Sequence, residues 1–141
     1  MKSFATTEIR RILTDTWQRQ AWQVPDTVTD YATRILAERI DRPNWQPEPS
    51  YAERYMCLKT AQDCLDFGDT CWFTRAVFPD CMTRRGINSS YFVELGQGCY
   101  TQVLRTHSIP AVRVINQHFE WTAEMTYTAI HSHSEFRSMW D

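Results

Sequence analysis

Three aspartates at three-residue spacing, Asp63, Asp66 and Asp69, are the first residues in this sequence whose types could do chemistry. Calcium and magnesium prefer carboxylate oxygens, but their sites usually draw ligands from a loop or from several helices. On one helix, steps of three residues rotate around the axis, so Asp63 and Asp69 point in different directions and the spacing does not predict a metal site. Asp69 follows Gly68 and is expected nearer the core, where a carboxylate needs a partner. Its candidate partners are Arg75, Arg84 and Arg85.

The triplet D-F-G at 66–68 suggests a second interpretation, because in protein kinases the aspartate of this triplet holds magnesium beside a nucleotide. That site also needs a glycine-rich loop, a lysine on a strand and a catalytic loop. The sequence contains none of these companions, and 141 residues are too few for that fold. We therefore interpret the triplet as a chance match and predict that Asp66 lies on a solvated helix face.

Five cysteines could hold zinc or act as nucleophiles. Zinc sites favour close pairs such as C-x-x-C, and a nucleophile needs a neighbouring base, and the sequence shows neither pattern. Free cysteine is among the residues most often fully buried, so burial as reduced thiols is the prediction, with redox sensing by an exposed thiol left open. The residues concerned are Cys57, Cys64, Cys71, Cys81 and Cys99.

The histidines offer a weaker metal candidate. His131 and His133 would point to the same side of an extended segment but would diverge on a helix. Two ligands do not make a site, so a third ligand would have to come from His118, Glu135 or a second subunit. A solvated tail is the prediction for the pair, and a core position on a helix stripe is the prediction for His118.

Composition and charge exclude several classes of protein. The formal net charge of −2 lacks the positive footprint that binding a phosphate backbone requires, so no nucleic-acid partner is expected. The sequence shows no apolar run long enough for a signal peptide or a membrane span, so a cytoplasmic protein with no membrane partner is expected. Six tryptophans fit either a thick core or an exposed association surface.

Helical periodicity organises the chain into one expected domain, residues 1–141. A first helix is predicted over about 6–22, and a second begins after Pro25 and ends near Ile40. The proline-rich stretch at 41–50 is predicted to be a loop, after which Ser50 and Glu53 form a capping-box pattern for a third helix from Tyr51. From about residue 131 the period is lost and a loose tail is expected.

Small residues mark two of the helices. In the third helix they lie at Cys57, Ala61, Cys64, Gly68 and Cys71, and a fourth helix from Ser89 or Ser90 carries a similar stripe with Gly96 and Cys99. Such stripes let two helix axes approach closely. A fifth helix is predicted to start at Ser108 or Pro110 and to continue past His118. The sequence thus predicts an all-α bundle of five or six helices, with the two striped helices as its central pair.

The stretch from Gly68 to Tyr100 resembles a family of small, helical, functionally uncharacterised bacterial proteins. The family pattern is G-D-x-x-L-F, a small residue and F-P, a basic pair, and an aromatic pair leading to G-x-x-x-Y. The resemblance implies that Asp69, the arginine pair and the face from Tyr91 to Tyr100 lie together, and it carries no activity to transfer. This chain departs from the pattern at Trp72 and Ala76. The matching residues are Gly68, Asp69, Phe73, Phe78, Pro79, Arg84, Arg85, Tyr91, Phe92, Gly96 and Tyr100.

Three functional hypotheses follow. The first is a non-enzymatic interaction or regulatory module that self-associates as a homodimer through tryptophan-bearing surfaces, or binds another protein, and needs no cofactor. The second is a carrier or sensor of a small apolar ligand, held in an aromatic pocket between helices. The third is an enzyme that uses Asp69 with His118 or a cysteine. The candidate ligand-binding residues are Asp69, Trp72, Arg84, Arg85, Tyr91, Tyr100 and Trp121.

Overall fold

The computed structural model describes residues 2–20, 23–40, 51–80 and 89–133. These residues form helices and connecting turns, with no strand among them, so the predicted all-α class is confirmed. The described residues contain seven helices rather than five or six. They are α1 (Lys2–Arg19), α2 (Asp26–Ile40), α3 (Tyr51–Met56), α4 (Ala61–Val77), α5 (Ser89–Leu104), α6 (Pro110–Gln117) and α7 (Phe119–Ser132). The stretch at 41–50, with Ser50, and most of the predicted tail lie outside the described residues.

The predicted third helix is two helices, α3 and α4, and a capping box marks the start of α4. The regular spacing of small residues suggested one continuous helix instead. The hydroxyl of Thr60 accepts a hydrogen bond from the backbone N–H of Asp63 (3.0 Å), and the Asp63 carboxylate accepts one from the backbone N–H of Thr60 (3.3 Å). This reciprocal pair starts a new helix at Ala61 because it satisfies backbone donors that lack intrahelical partners. Cys57 therefore lies in the turn before α4 and is exposed, so its predicted place in the buried stripe is wrong.

The predicted fifth helix is also divided, at His118. This residue has φ −124° and ψ 38°, which ends α6 and redirects the chain into α7. The His118 side chain is exposed at this joint, so its predicted core position is wrong. Pro110 is the first residue of α6, as predicted, because its missing N–H falls where a helix has no acceptor for it.

The predicted central pair is confirmed, since α4 and α5 make the most extensive helix–helix contact in the described residues. Two glycines permit this contact. A methyl group at Gly68 on α4 would lie 2.7 Å from the ring of Tyr100 on α5. One at Gly96 on α5 would lie 3.1 Å from Cβ of Cys71 on α4 and would also collide with the ring of Phe119 on α7. Real side-chain atoms do not approach so closely, so the glycines set the separation of the helices.

Helix α4 is the centre of the bundle, and all of its residues from Phe67 to Ala76 are buried. It packs on α5 and α7, while α1 and α2 pack against each other, α2 also on α6 and α1 on α7. Because α4 is covered on several sides, its polar side chains have to find partners inside the protein. In the described residues, no helix combines the length and the apolar character needed to cross a membrane.

Candidate functional site

The most distinctive polar group inside the bundle is a cluster of Tyr31, Asp69 and Tyr100. The hydroxyl of Tyr31 donates to Oδ1 of Asp69 at 2.8 Å, and the hydroxyl of Tyr100 donates to the same oxygen at 2.7 Å. Asp69 is only 6% exposed. The three residues come from α2, α4 and α5, so one carboxylate oxygen joins three helices. We call these residues the Asp69 cluster.

The neighbouring residues hold this arrangement in place. Gly68 lets the ring of Tyr100 lie directly against α4, which brings its hydroxyl to the carboxylate of the next residue. On α2, the guanidinium of Arg34 lies 4.7 Å from the centre of the Tyr31 ring. The buried Arg39 donates to Thr70 at 3.3 Å and to the carbonyl of Ile35 at 2.9 Å. A second polar contact therefore joins α2 to α4 one residue beyond Asp69.

Burial dominates the electrostatics of the cluster. It raises the pKa of the Asp69 carboxyl to about 6, because the charged form loses its hydration; the two tyrosine hydrogen bonds and the charges of Arg39 and Arg34 act in the opposite direction. Burial and the neighbouring carboxylate also raise the pKa of both tyrosines above the usual range. The tyrosines are therefore neutral donors at ordinary pH, and Asp69 titrates close to neutrality.

The prediction that Asp69 lies near the core is confirmed, but the salt bridge to Arg75 is not formed. Arg75 instead donates to the carboxylate of Glu124 (3.1 Å) and lies 3.7 Å from that of Glu120, both on α7. Arg84 and Arg85 lie outside the described residues. The sequence signal for the observed partner was Tyr31 itself, because a tyrosine on a buried helix stripe needs an acceptor for its hydroxyl.

The other two aspartates have different roles. Asp63 caps α4, as described above, and Asp66 is exposed and accepts a hydrogen bond from the side chain of Gln62 (2.9 Å). The predicted solvated position of Asp66 is thus confirmed. Among the residues that the structure describes, no three histidine, cysteine, aspartate or glutamate side chains are grouped so that they could hold a metal ion.

The candidate aromatic ligand-binding residues occupy different environments. Trp72 is fully buried, and its Nε1 donates to the hydroxyl of Thr122 at 2.9 Å. Tyr100 is fully buried within the Asp69 cluster. Tyr91 and Trp121 are surface residues, 37% and 38% exposed. Two of the four therefore pack in the core, and the other two present part of their rings to solvent.

Three open grooves on the surface are lined by other residues. One of about 350 Å³, which we call the α3–α5 groove, lies between the α3–α4 connection and α5. A second of about 370 Å³ lies between α1 and α2, and a third of about 460 Å³ lies beside Trp17. None of these three grooves is lined by Trp72, Tyr91, Tyr100 or Trp121. The lining of the α3–α5 groove includes Tyr55, Leu58, Cys64, Gly98, Cys99 and Gln102.

The described cysteines are free thiols that differ in their exposure to solvent. Cys71 and Cys99 are buried, as predicted, and Cys64 is partly buried at the α3–α5 groove. Burial raises the pKa of the Cys99 thiol to about 12 and raises that of Cys71 as well, so neither is a reactive thiolate near neutral pH. Cys81 lies outside the described residues.

The two C-terminal histidines lie at the end of α7. His131 is exposed, and its ring packs 3.9 Å from that of Tyr127. Nδ1 of His133 lies 3.1 Å from the carbonyl oxygen of Ala129. Each ring therefore contacts a residue of α7. The spacing of the two histidines in the sequence had instead allowed them to share a metal ion.

No protein-family model, curated protein or solved structure matches this chain.

Proposed function

We propose that this protein is a non-enzymatic interaction module that associates with a second copy of itself. The observation that supports the proposal is the exposure of two consecutive large apolar side chains at the end of α3. Met56 is 84% exposed and Tyr55 is 41% exposed. Methionine and tyrosine are both enriched at protein–protein interfaces, and contiguous exposed apolar patches mark interaction sites.

The α3–α5 groove lies directly beside these side chains. Tyr55 lines the groove together with Leu58, which is partly buried. The Tyr55 hydroxyl would lie 3.4 Å from a methyl group at Gly98, so this side chain lies over α5. Met56 follows Tyr55 in the chain and is the last residue of α3. An exposed apolar side chain therefore directly follows, in the chain, a residue that lines an open groove.

The proposed contact would be self-complementary. In a two-fold symmetric dimer both subunits use the same surface patch, so Met56 of one copy can enter the α3–α5 groove of the other while the reverse contact forms at the same time. Methionine suits this role because its unbranched thioether adapts to an irregular groove. A stable dimer buries about 1,200–2,000 Å² in total, so the exposed faces of α3 and α5 around Met56 must take part as well.

The enzyme hypothesis has less support. The hydrogen-bond donors to Asp69 in the described residues are Tyr31 and Tyr100, rather than His118 or a cysteine. His118 is exposed at the joint between α6 and α7. A carboxylate held by two neutral donors in a packed core is poorly placed to exchange protons with a substrate.

A small apolar ligand is the second candidate occupant of the α3–α5 groove. Its volume of about 350 Å³ is at the lower end of the range for small-molecule sites, about 300–1,000 Å³. Native mass spectrometry of the purified protein tests this alternative. A stoichiometric added mass that is lost when Gln102→Trp, at an exposed residue of the groove lining, fills the groove supports a ligand, and a bare chain mass in both proteins contradicts it.

Sedimentation equilibrium over a wide concentration range tests self-association. We expect the wild-type protein to form dimers and Met56→Glu to raise the dissociation constant about 30-fold, the effect of losing about 2 kcal/mol at an interface hot spot. Trp121→Glu is the matched control, because Trp121 is a large apolar side chain on α7 that is also exposed, at 38%.

Each outcome separates one part of the proposal. A wild-type monomer at every concentration contradicts self-association. A dimer that Trp121→Glu dissociates and Met56→Glu leaves intact would place the interface on α7, on the tryptophan-bearing surface that the sequence suggested.

A further inference from the structure

We propose that the Asp69 cluster is a pH-sensitive contact: α2 closes over a carboxyl that is buried among neutral donors, and ionisation of this carboxyl favours the state in which α2 has moved away and water reaches the charge. The contact would make the docking of α2 depend on pH in the neutral and mildly acidic range. This inference does not rest on the proposed self-association.

The Asp69 cluster can affect the docking of α2 because of its position in the fold. Helix α2 packs mainly on α1 and α6, and its contact with α4 is sparse. Two polar contacts bridge α2 and α4, the bond from Tyr31 to Asp69 and the bond from Arg39 to Thr70. The bond from Tyr100 then extends the first of these to α5. A change at one carboxyl therefore acts where α2 meets the central pair.

The groups around the carboxyl do not form a salt bridge with it in the described residues. From α2 the titratable and charged groups that face Asp69 are Tyr31, Arg34 and Arg39, and from α5 there is Tyr100. Arg39 is held by Ile35 and Thr70, and Arg34 lies over the Tyr31 ring. From α7, Glu120 and Glu124 are paired with Arg75. From α3, which also contacts α4, Arg54 lies over the ring of Phe67. The partners of the ionised carboxylate are thus mainly two neutral hydroxyls.

The direction of the effect follows from burial. In the closed bundle the Asp69 carboxyl has a pKa of about 6, against the ordinary value of 3.8, so the closed state favours the protonated form. In the limit that α2 moves far enough for water to hydrate the carboxyl fully, the ordinary value returns. The stabilisation from this group is fully present below pH 3.8 and is lost as the pH rises through about 6.

The size of the effect follows from the same two values. For full hydration in the open state, the difference of about two pH units corresponds to a total change of about 100-fold in the opening equilibrium of α2. This change is spread over the pH range from the pKa of the open state to just above that of the closed state. About half of it, on a logarithmic scale, lies between about pH 5 and about pH 7.5, so the opening constant is expected to rise about tenfold over that interval.

Hydrogen exchange of the full chain, read by mass spectrometry and corrected for the intrinsic rates, tests the proposal. In the wild-type protein, peptides from α2 are expected to gain about tenfold in opening constant from about pH 5 to about pH 7.5, and peptides from α5 are expected to change less. Asp69→Asn keeps the shape and the acceptor oxygen without a titrating proton, so it should remove the pH dependence in α2.

Two results would overturn the proposal. One is the same pH dependence of α2 in Asp69→Asn and in wild type, and the other is an equal change in α2 and α5, which is the sign of global stability alone. Tyr31→Phe is the second variant, since it deletes the bond from α2 and leaves Asp69 bonded to Tyr100. It should open α2 more than α5 already at about pH 5, and equal opening of both helices would contradict a contact that controls α2.

Discussion

Replacing Gly68 with alanine should disrupt the Asp69 cluster through packing alone. The added methyl group would lie 2.7 Å from Cε1 and 2.8 Å from Cδ1 of Tyr100. Tyr100 is fully buried, so its ring has no free space to enter. Moving the ring also moves the hydroxyl away from Asp69, to which it donates at 2.7 Å. The substitution therefore costs both packing and a hydrogen bond.

The magnitude can be worked from these contacts. Overpacking a core position costs about 1–3 kcal/mol, and a lost hydrogen bond to a charged group costs about 1.5–3 kcal/mol. The higher helix propensity of alanine relative to glycine offsets about 1 kcal/mol of this cost. We expect Gly68→Ala to lower the free energy of unfolding by about 3 kcal/mol at neutral pH.

Urea denaturation followed by circular dichroism measures this loss, and Gly98→Ala is the matched control. A methyl group at Gly98 would meet only the Tyr55 hydroxyl, at an ordinary 3.4 Å, so this variant should equal or exceed the wild-type stability. In a Tyr100→Leu background the Gly68→Ala penalty should shrink, because the two sites are coupled. A Gly68→Ala protein as stable as Gly98→Ala would refute the reasoning.

Two further stability effects follow from the fold. Thr60→Ala removes the hydroxyl that caps α4 and should cost about 1 kcal/mol in the urea midpoint analysis, whereas a loss below a few tenths would show that Asp63 alone holds the turn. Trp72→Phe removes the buried bond to Thr122 and part of the indole volume, and should cost about 2–4 kcal/mol by thermal denaturation. Trp121→Phe on the surface is the comparison and should stay within about 0.5 kcal/mol of wild type.

Local patterns predicted much of the fold. The start and the end of α2 depend on signals that are close together in the sequence. The proline before Asp26 marks the start, and the helical spacing of the apolar residues continues to about Ile40, so the sequence alone indicates both ends. The small residues Gly68 and Gly96 likewise predicted the close approach of α4 and α5, since a helix axis can come near only where no side chain intervenes.

The two helix breaks show where such patterns fail. The stripe through Cys57 and Ala61 has a helical period, but the Thr60–Asp63 capping box interrupts it because reciprocal backbone bonds outweigh a continuous period. At His118 the apolar residues on both sides also keep a helical spacing. There the chain turns so that α7 can pack on α4 while α6 packs on α2, a choice that depends on the other helices.

The Asp69 cluster shows the limit most clearly. The sequence by itself indicated that Asp69 enters the core and needs a partner, because the residue follows a stripe glycine and a buried carboxylate without hydrogen bonds is costly. Its partners, Tyr31 and Tyr100, stand 38 and 31 residues away along the chain. Periodicity tells which side chains face inward, but only the packing of α2, α4 and α5 decides which buried donors meet the carboxylate.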